Sequence, residues 1–548
     1  MTLAIEYPHI PSVTGDVLGI NVAVDDFLKA WFRYSVQEKF ICRPLPASAY
    51  DHFVELAKTS GLDPKTRCIG LEPRTPQQNL GSINCLFRPD PAISDMVWRR
   101  QQLQGHGYAA CGLVHSLSGD QVARAVTELC LAPTDASDAL ICPSVAIRDA
   151  VRRMWDGYVD YLNKRFGGAF LCPVQTPVIP IGIDAGKFAA LASPDKRKSQ
   201  RQALNVANDE IVILFVGRLS FATKAHPLPL LLAAEQAAKN TKRKLRLVLY
   251  GYFKPQDMME PRFRALASDI AQTVRCDIIT NDDPRFPDGL WAGADIFTSL
   301  VDNVQESFGL TPIEAMACGL PAVVSNWDGY RDGVRDGEDG FLIPTTAPPA
   351  IAGHDIAAHY FNENNYGSYL VSAAQSTAID IAVAARAFVK LADDDELRRQ
   401  MGQNGLARAQ NVYDWSKIIP AYEELWKELA ERRRAQEQTS VSAAHPAFPN
   451  PFDLFQGFPR DILKLEDRLR VVMTSAEITL ILKHDMNFFI PELLLPAEAL
   501  QTLIEGIRNA GSIRVMDILA GAAPQEQLRL WRCLGWMLKH GVCVREGM

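Results

Sequence analysis

None of the eleven cysteines in this 548-residue chain belongs to a CxxC pair, and several lie inside apolar runs such as "AACGLV" and "ALICPSV". An odd count without metal-ligand spacing reads as reduced, buried thiols and argues against a disulfide framework. No His, Asp and Glu grouping has the spacing of a zinc or calcium site. No apolar run reaches the ~18 residues that a membrane helix needs. The opening "MTLAIEYPHIPSV" lacks the basic start and apolar centre of a signal peptide, so a soluble, cytoplasmic protein is expected. Positive charge is not in excess either. With 57 Lys+Arg against 64 Asp+Glu the net charge is −7, which argues against a polyanion-binding surface over the whole chain but not against a local basic pocket. Internal repeats and low-complexity tracts are missing.

What is present is an ordinary globular composition, 47% hydrophobic and 22% charged, in a chain too long for one core. From about residue 204, short β-rich runs alternate with helical ones. "EIVILFVGRL", "KLRLVLYG", "CDIIT" and "PAVVSN" read as strands; "PLLLAAEQAAKN", "FRALASDIAQTV" and "TPIEAMACG" read as helices, and "LWAGADIFTSL" as a helix leading into a strand. Apolar strands separated by helices predict a parallel sheet covered on both faces. Before residue 190, "YAACGLVHSL" and "DALICPSV" read as buried strands, "AIRDAVRRMWDGYVDYLNKRF" as a helix, and "TPVIPIGID" as a closing strand. The polar "GKFAALASPDKRKSQRQAL" reads as a linker, and "AIAGHDIAAHYFNENNYGSYLVSAAQ" as an insertion or long loop. The fold class is therefore α/β, with two Rossmann-like sheets facing across a cleft and a small, mostly helical C-terminal domain. The expected boundaries are 1–190, 191–410, a crossover helix 411–436, a linker 437–452 and an accessory module 453–548.

The densest motif is "ESFGLTPIE". Thr311, Pro312 and Glu314 fit a helix start with Thr as N-cap and Glu three residues on, so spacing alone explains Glu314 as a cap as well as it does a ligand. That leaves Glu306 and Gly309 unexplained. Residues 307–311 would present N–H groups at a helix N-terminus, an anion site. A sugar nucleotide, anionic in one part and hydroxyl-rich elsewhere, suits such a loop with two carboxylates. In "FVGRLSFATKAHP", Arg218 and Lys224 follow a buried strand, where ligands of open α/β sheets sit. Either they are solvated surface cations or they grip phosphate. In "GLVHSLSG", His115 ends a strand, where a lone histidine is commonly structural.

The run "ESFGLTPIEAMACGLPAVVSNWDGYRDGVRDGEDGFLIP" resembles the Glu-x7-Glu region of retaining family-4 glycosyltransferases of the GT-B fold, and the likeness covers roughly residues 10–430. The resemblance implies that Glu306 lies by the donor sugar and Glu314 holds the ribose. It places the backbone of Phe308, Gly309 and Leu310, with Ser307 and Thr311 beside them, at the sugar and diphosphate. Arg218 and Lys224 match the family's diphosphate cations, although this chain has one extra residue between them and "AHP" where Lys-Gly is usual. His115 matches a histidine close to the donor sugar, a hydrogen-bonding group rather than a base. Gly15 and Asp16 stand where the family's first loop lines the acceptor side. Asp184, Trp415, Tyr422 and Trp426 read as structural.

The implied activity is that of a retaining, metal-independent hexosyltransferase. It uses a UDP- or GDP-sugar as co-substrate and needs no other cofactor. Its acceptor is a glycan, lipid-linked or protein hydroxyl. The other readings are a GT-B sugar-nucleotide epimerase and an inactive sugar-nucleotide-binding scaffold. The ending resembles a winged-helix module, yet 453–548 carries eleven Lys+Arg against twelve Asp+Glu, so no nucleic-acid partner is expected. Acceptor recognition and homo-oligomer formation are the expectations for this module, and peripheral membrane contact is one for the protein as a whole.

Overall fold

The computed structural model describes residues 2–8, 19–71, 80–103, 107–254, 258–304, 306–363, 365–436, 445–488 and 490–547. They fall into two compact units, Met1–Ala443 and Ala444–Met548.

The first unit contains two six-stranded sheets. Strands β1 (Leu3–Pro8), β2 (Phe40–Leu45), β3 (Cys68–Gly70), β4 (Cys85–Arg88), β5 (Ala109–Leu113) and β6 (Ala139–Ile141) lie in the order 3-2-1-4-5-6. Strands β7 (Glu210–Arg218), β8 (Lys244–Tyr252), β9 (Arg275–Thr280), β10 (Ile296–Ser299), β11 (Ala322–Ser325) and β12 (Gly340–Ile343) repeat that order as 9-8-7-10-11-12. Every neighbouring pair is parallel. Consecutive residues Val212, Ile213 and Leu214 of β7 are all buried, as are all four residues of β10 and of β11. Such strands have no solvated face and require helices on both sides. In each sheet the order reverses, between β1 and β4 and between β7 and β10, and the carboxyl ends flanking that reversal form the crevice of an open α/β sheet.

Four local expectations need correction. "TPVIPIGID" forms isolated bridges, Ala139 with Gln175, Cys142 with Val178 and Ile183 with Asp414, because Pro177 and Pro180 cannot donate to a ladder. "LWAGAD" is a turn leading into β10, not a helix; Gly289, at φ +83°, precedes it and Gly293 lies within it. The polar connector is two helices, Ala185–Leu191 and Pro194–Ala203, tied to the second sheet where Arg197 and Arg201 meet Asp295 at 2.5 and 2.9 Å. The insertion is also helical, His354–Glu363 and Tyr366–Ala374.

The helix Trp415–Ala435 packs on the helix Gly19–Tyr34 and on β4 and β5. Trp415, Tyr422 and Trp426 are buried there, Trp426 lying 5.1 Å from the Phe87 ring and Tyr422 5.3 Å from Phe27. Asp184 caps the helix Ala185–Leu191 by accepting from the Lys187 N–H at 2.8 Å.

The second unit is mostly helical, with a three-stranded antiparallel sheet formed by Arg468–Val471, Ile513–Arg514 and Cys543–Arg545. It has its own core, built around Leu469, Leu500, Ile504, Leu534 and Met537. Trp536 fills that core, donating to the Asn487 carbonyl at 2.8 Å and stacking on Phe488. Among the described residues no helix is long and apolar enough to cross a membrane.

Candidate active site

The strand-order reversal of the second sheet places two loops side by side. One leaves β7 at Arg218, and the other leaves β10 at Ser299 and runs to Gly309. In the first loop the N–H groups of Lys224 and Ala225 both donate to the Ser220 carbonyl, at 3.0 and 3.2 Å, which turns the chain back towards the sheet. Gly217 makes room for this, since a Cβ there would stand 3.0 Å from Lys224 Cε. Lys224 Nζ then donates to Glu306 Oε2. Both side chains are nearly enclosed, at 11% and 16% exposure. Burial works against the Lys224 ammonium, but the charge of Glu306 and the neighbouring Tyr330 outweigh it and hold the lysine charged. Arg218 is half-buried at the end of β7, opposite Tyr252 of β8. Asn303 ties the loops together by donating to the Ala222 carbonyl at 2.8 Å.

The helix after the second loop is Leu310–Ala317, and Gly309 at φ +90° is its N-cap without a side-chain capping bond. A side chain at 309 would collide with the Tyr330 ring, 2.1 Å from an ideal Cβ, so only glycine fits. The expected Thr311–Glu314 capping box is therefore absent. Thr311 lies inside the first turn, so it cannot be the N-cap. Glu314 is released from that role, and no side chain among the described residues pairs with it. The residue as a whole is half-buried. Burial pushes this carboxyl up to about 7, with Lys224 and Lys187 opposing and Asp26 and Glu306 adding.

The first sheet meets the same loop. Ser307 Oγ donates to the His115 carbonyl, and Ser144 Oγ donates to the Ser307 carbonyl at 2.7 Å. The Val145 N–H donates to Asp332 at 2.6 Å. Ser307 thus fastens the two halves, and Phe308 is buried against Tyr413, 5.8 Å between rings, leaving its backbone as the usable part. Leu310 begins the helix and is half-buried. His115 Nε2 is buried without a hydrogen-bond partner among the described residues, and burial lowers the ring to about 4, so the imidazole is neutral at physiological pH. Ser220 Oγ and Thr223 Oγ1 are likewise buried and unpartnered. Polar atoms left this way normally mark a ligand or water position.

Of the residues expected at the site, Lys224 and Glu306 meet directly, the His115 carbonyl meets the same loop through Ser307, Arg218 ends β7, and Glu314 lies in the helix Leu310–Ala317. Gly15 and Asp16 lie outside the described residues. Sequence reasoning missed Asp328 and Tyr330, both in the loop and short helix after β11. Tyr330 shares a 2.8 Å hydrogen bond with Ser299 and walls the Lys224–Glu306 pair. Their signal was the "WDGY" turn directly after a buried strand, where the chain must again emerge at the crevice.

Two facing sheets of identical order with charged loops at the reversal define a GT-B protein. Residues 196–358 match the family model described as "Glycosyl transferases group 1", a span that includes both loops and the helix Leu310–Ala317. That segment of the chain is thus similar to group 1 glycosyl transferases, on a scaffold of the GT-B fold. It is similar to the D-inositol 3-phosphate glycosyltransferase of Geodermatophilus obscurus, 28% identical over 49% of this chain and 51% of that one. The enzyme of that name from Acidothermus cellulolyticus is 33% identical over 33% of this chain and 40% of its own length. The chain spans about half the length of these curated relatives or less. Among solved structures it is similar to Anabaena Alr3699/HepE in complex with UDP, at a TM-score of 0.50 and 17% identity, over 78% of this chain and 100% of that one; this likeness shows the fold alone.

Proposed function

We propose that this protein is a retaining, metal-independent hexosyltransferase that moves a sugar from a UDP- or GDP-sugar to an acceptor hydroxyl in the cytoplasm. One observation carries the reading. Two cations, Arg218 and Lys224, and two carboxylates, Glu306 and Glu314, flank the strand-order reversal of the second sheet, with His115 of the first sheet held against the same loop. In this reading Glu314 accepts from the ribose hydroxyls. The N–H groups at the start of Leu310–Ala317 face the diphosphate. Arg218 and Lys224 neutralise the charge that grows on the leaving diphosphate, the work a metal ion does elsewhere. Glu306 positions the sugar, and neutral His115 donates to or accepts from a sugar hydroxyl.

The bond from the anomeric carbon to the diphosphate oxygen breaks, and a bond to the acceptor oxygen forms on the same face. The acceptor proton passes to the departing phosphate oxygen, so no separate base is required. The acceptor is a glycan, lipid-linked or protein hydroxyl, and the relatives' names add a phosphorylated cyclitol. Acceptor recognition or self-association is the role proposed for the C-terminal unit.

The test is proton NMR of the protein with a panel of UDP- and GDP-hexoses, with and without EDTA. The expected outcome is slow release of nucleoside diphosphate from one donor, undiminished by EDTA, with the freed sugar first seen in the donor's own anomeric form. Release of the opposite anomer contradicts retention, and no release from any donor contradicts transfer.

A further inference from the structure

We propose that Asp328 completes the donor-sugar pocket, presenting an unpartnered carboxyl oxygen beside Glu306 to one hydroxyl of the transferred sugar and so setting which sugar is accepted. The inference rests on the donor reading above and goes beyond it, since that reading leaves open how one hexose is told from another.

The placement comes from the residues on either side. Trp327 Nε1 donates to the Asn303 carbonyl at 3.1 Å. Gly329 presses on the donor loop so closely that a Cβ there would lie 2.3 Å from Phe308 Cα and 2.6 Å from the carbonyl oxygens of Ser307 and Phe308. Residue 328 is thus fixed between two anchors on the stretch that carries Glu306. Its backbone is left-handed, φ +44°, a conformation only Gly, Asn and Asp adopt readily. Glycine would be the relaxed choice here, and a carboxylate is present instead. Asp328 Oδ1 is buried and, among the described residues, has no hydrogen-bond partner. An acid group enclosed this way in a strained backbone costs stability, and such costs gather at ligand sites.

Its protonation suits the role. Burial raises the carboxyl to about 8, the charges of Glu306 and Asp332 add to this, and the Gly329 N–H opposes both. At neutral pH the group therefore carries a proton. It offers both a donor and an acceptor to a sugar hydroxyl without placing a further negative charge beside Glu306 and a diphosphate. A pocket built to hydrogen-bond a hydroxyl discriminates against analogues that lack or misdirect it far better than an apolar wall does.

The experiment compares the wild-type protein with Asp328→Gly, which suits the left-handed backbone, and with Asp328→Asn, which keeps the size. Calorimetry measures Kd for UDP, GDP, the preferred nucleotide-hexose and its monodeoxy and epimeric forms. Expected for Asp328→Gly are an unchanged nucleoside diphosphate Kd and about a tenfold loss for the preferred donor. The penalty for altering one particular hydroxyl, present in the wild type, should vanish in the variant, the signature of a direct pair. Asp328→Asn should fall between the two. Equal weakening of the bare diphosphate and every donor, or an unchanged penalty at every hydroxyl, overturns the proposal while leaving the donor reading intact. A wild-type protein that binds bare diphosphate and no nucleotide-sugar overturns both.

Discussion

The two sheets of the first unit share one strand order and treat charge differently where that order reverses. In the first sheet, fully buried Glu6 on β1 is held by Arg43 on β2 at 2.6 Å, Arg99 at 2.7 Å and Arg88 on β4 at 3.3 Å, while Arg100 grips Asp138 at 2.5 Å. These charges satisfy one another within the fold. At the reversal of the second sheet, among the described residues, Glu314 is unpaired, Ser220 Oγ, Thr223 Oγ1 and Asp328 Oδ1 have no hydrogen-bond partner, and Lys224 pairs with Glu306; His115 of the first sheet, held against the same loop, adds an unpartnered Nε2. Paired charge is not peculiar to the first half, since buried Arg246 meets Glu210 at 3.0 Å within the second sheet; the contrast is confined to the two strand-order reversals. Fold alone does not locate chemistry.

The largest effect expected is structural and belongs to the first sheet. Glu6→Ala leaves buried guanidinium groups uncompensated, which typically costs about 3–5 kcal/mol. Chemical denaturation should report that loss, and calorimetry on the folded fraction should find nucleotide affinity intact. An affinity loss with stability preserved would reverse the comparison. Next is Lys224→Ala, which should lower kcat/KM about 10²–10³-fold and, by leaving the enclosed Glu306 without its partner, also lower the melting temperature. Glu306→Gln should do the same. Steady-state kinetics with near-normal turnover in either variant would remove the second sheet's claim to the chemistry.

Smaller, and opposite in sign for stability and function, is Glu314→Gln. The carboxyl is raised from 4.5 to about 7, so the folded state keeps a proton that the unfolded chain releases in that window. Stability contributed by the protonated form is full below about 4.5 and is lost as pH rises through about 7. The variant should therefore melt higher than the wild type at pH 8, match it at pH 4, and bind donor more weakly. A melting difference independent of pH would show that Glu314 is not held as described. The smallest effect is expected from a chain truncated after Gln436. The core clusters of the first unit include no residue beyond Leu429, so nucleotide Kd should stay within about twofold. Collapse of the fold would join the C-terminal unit to the catalytic body.

The second sheet was the more legible in the sequence because its strands are long or apolar throughout and its ligand loops are short and dense in charge. "EIVILFVGR" and "AVVS" could only be buried strands, and Glu306, Glu314, Arg218 and Lys224 fall within a few residues of strand ends. The buried network of Glu6 with three arginines was invisible, because its members are far apart in the chain and meet only through parallel register, Glu6 opposite Arg43. "TPVIPIGID" looked like a strand by composition, but its prolines break the ladder. The capping box at Thr311 failed because Gly309, left-handed and closed to any side chain by Tyr330, starts the helix two residues earlier than the side-chain pattern suggests. Asp328 escaped notice since Asp-Gly after a strand ordinarily signals nothing more than a turn.

Hydrogen–deuterium exchange of the full chain with and without saturating UDP or GDP tests most directly which half holds the nucleotide. The account predicts protection concentrated at 218–226 and 306–318, with the β1, β2 and β4 strands of the first sheet unchanged. Protection centred on those first-sheet strands, with the two loops of the second sheet exchanging as before, would contradict it.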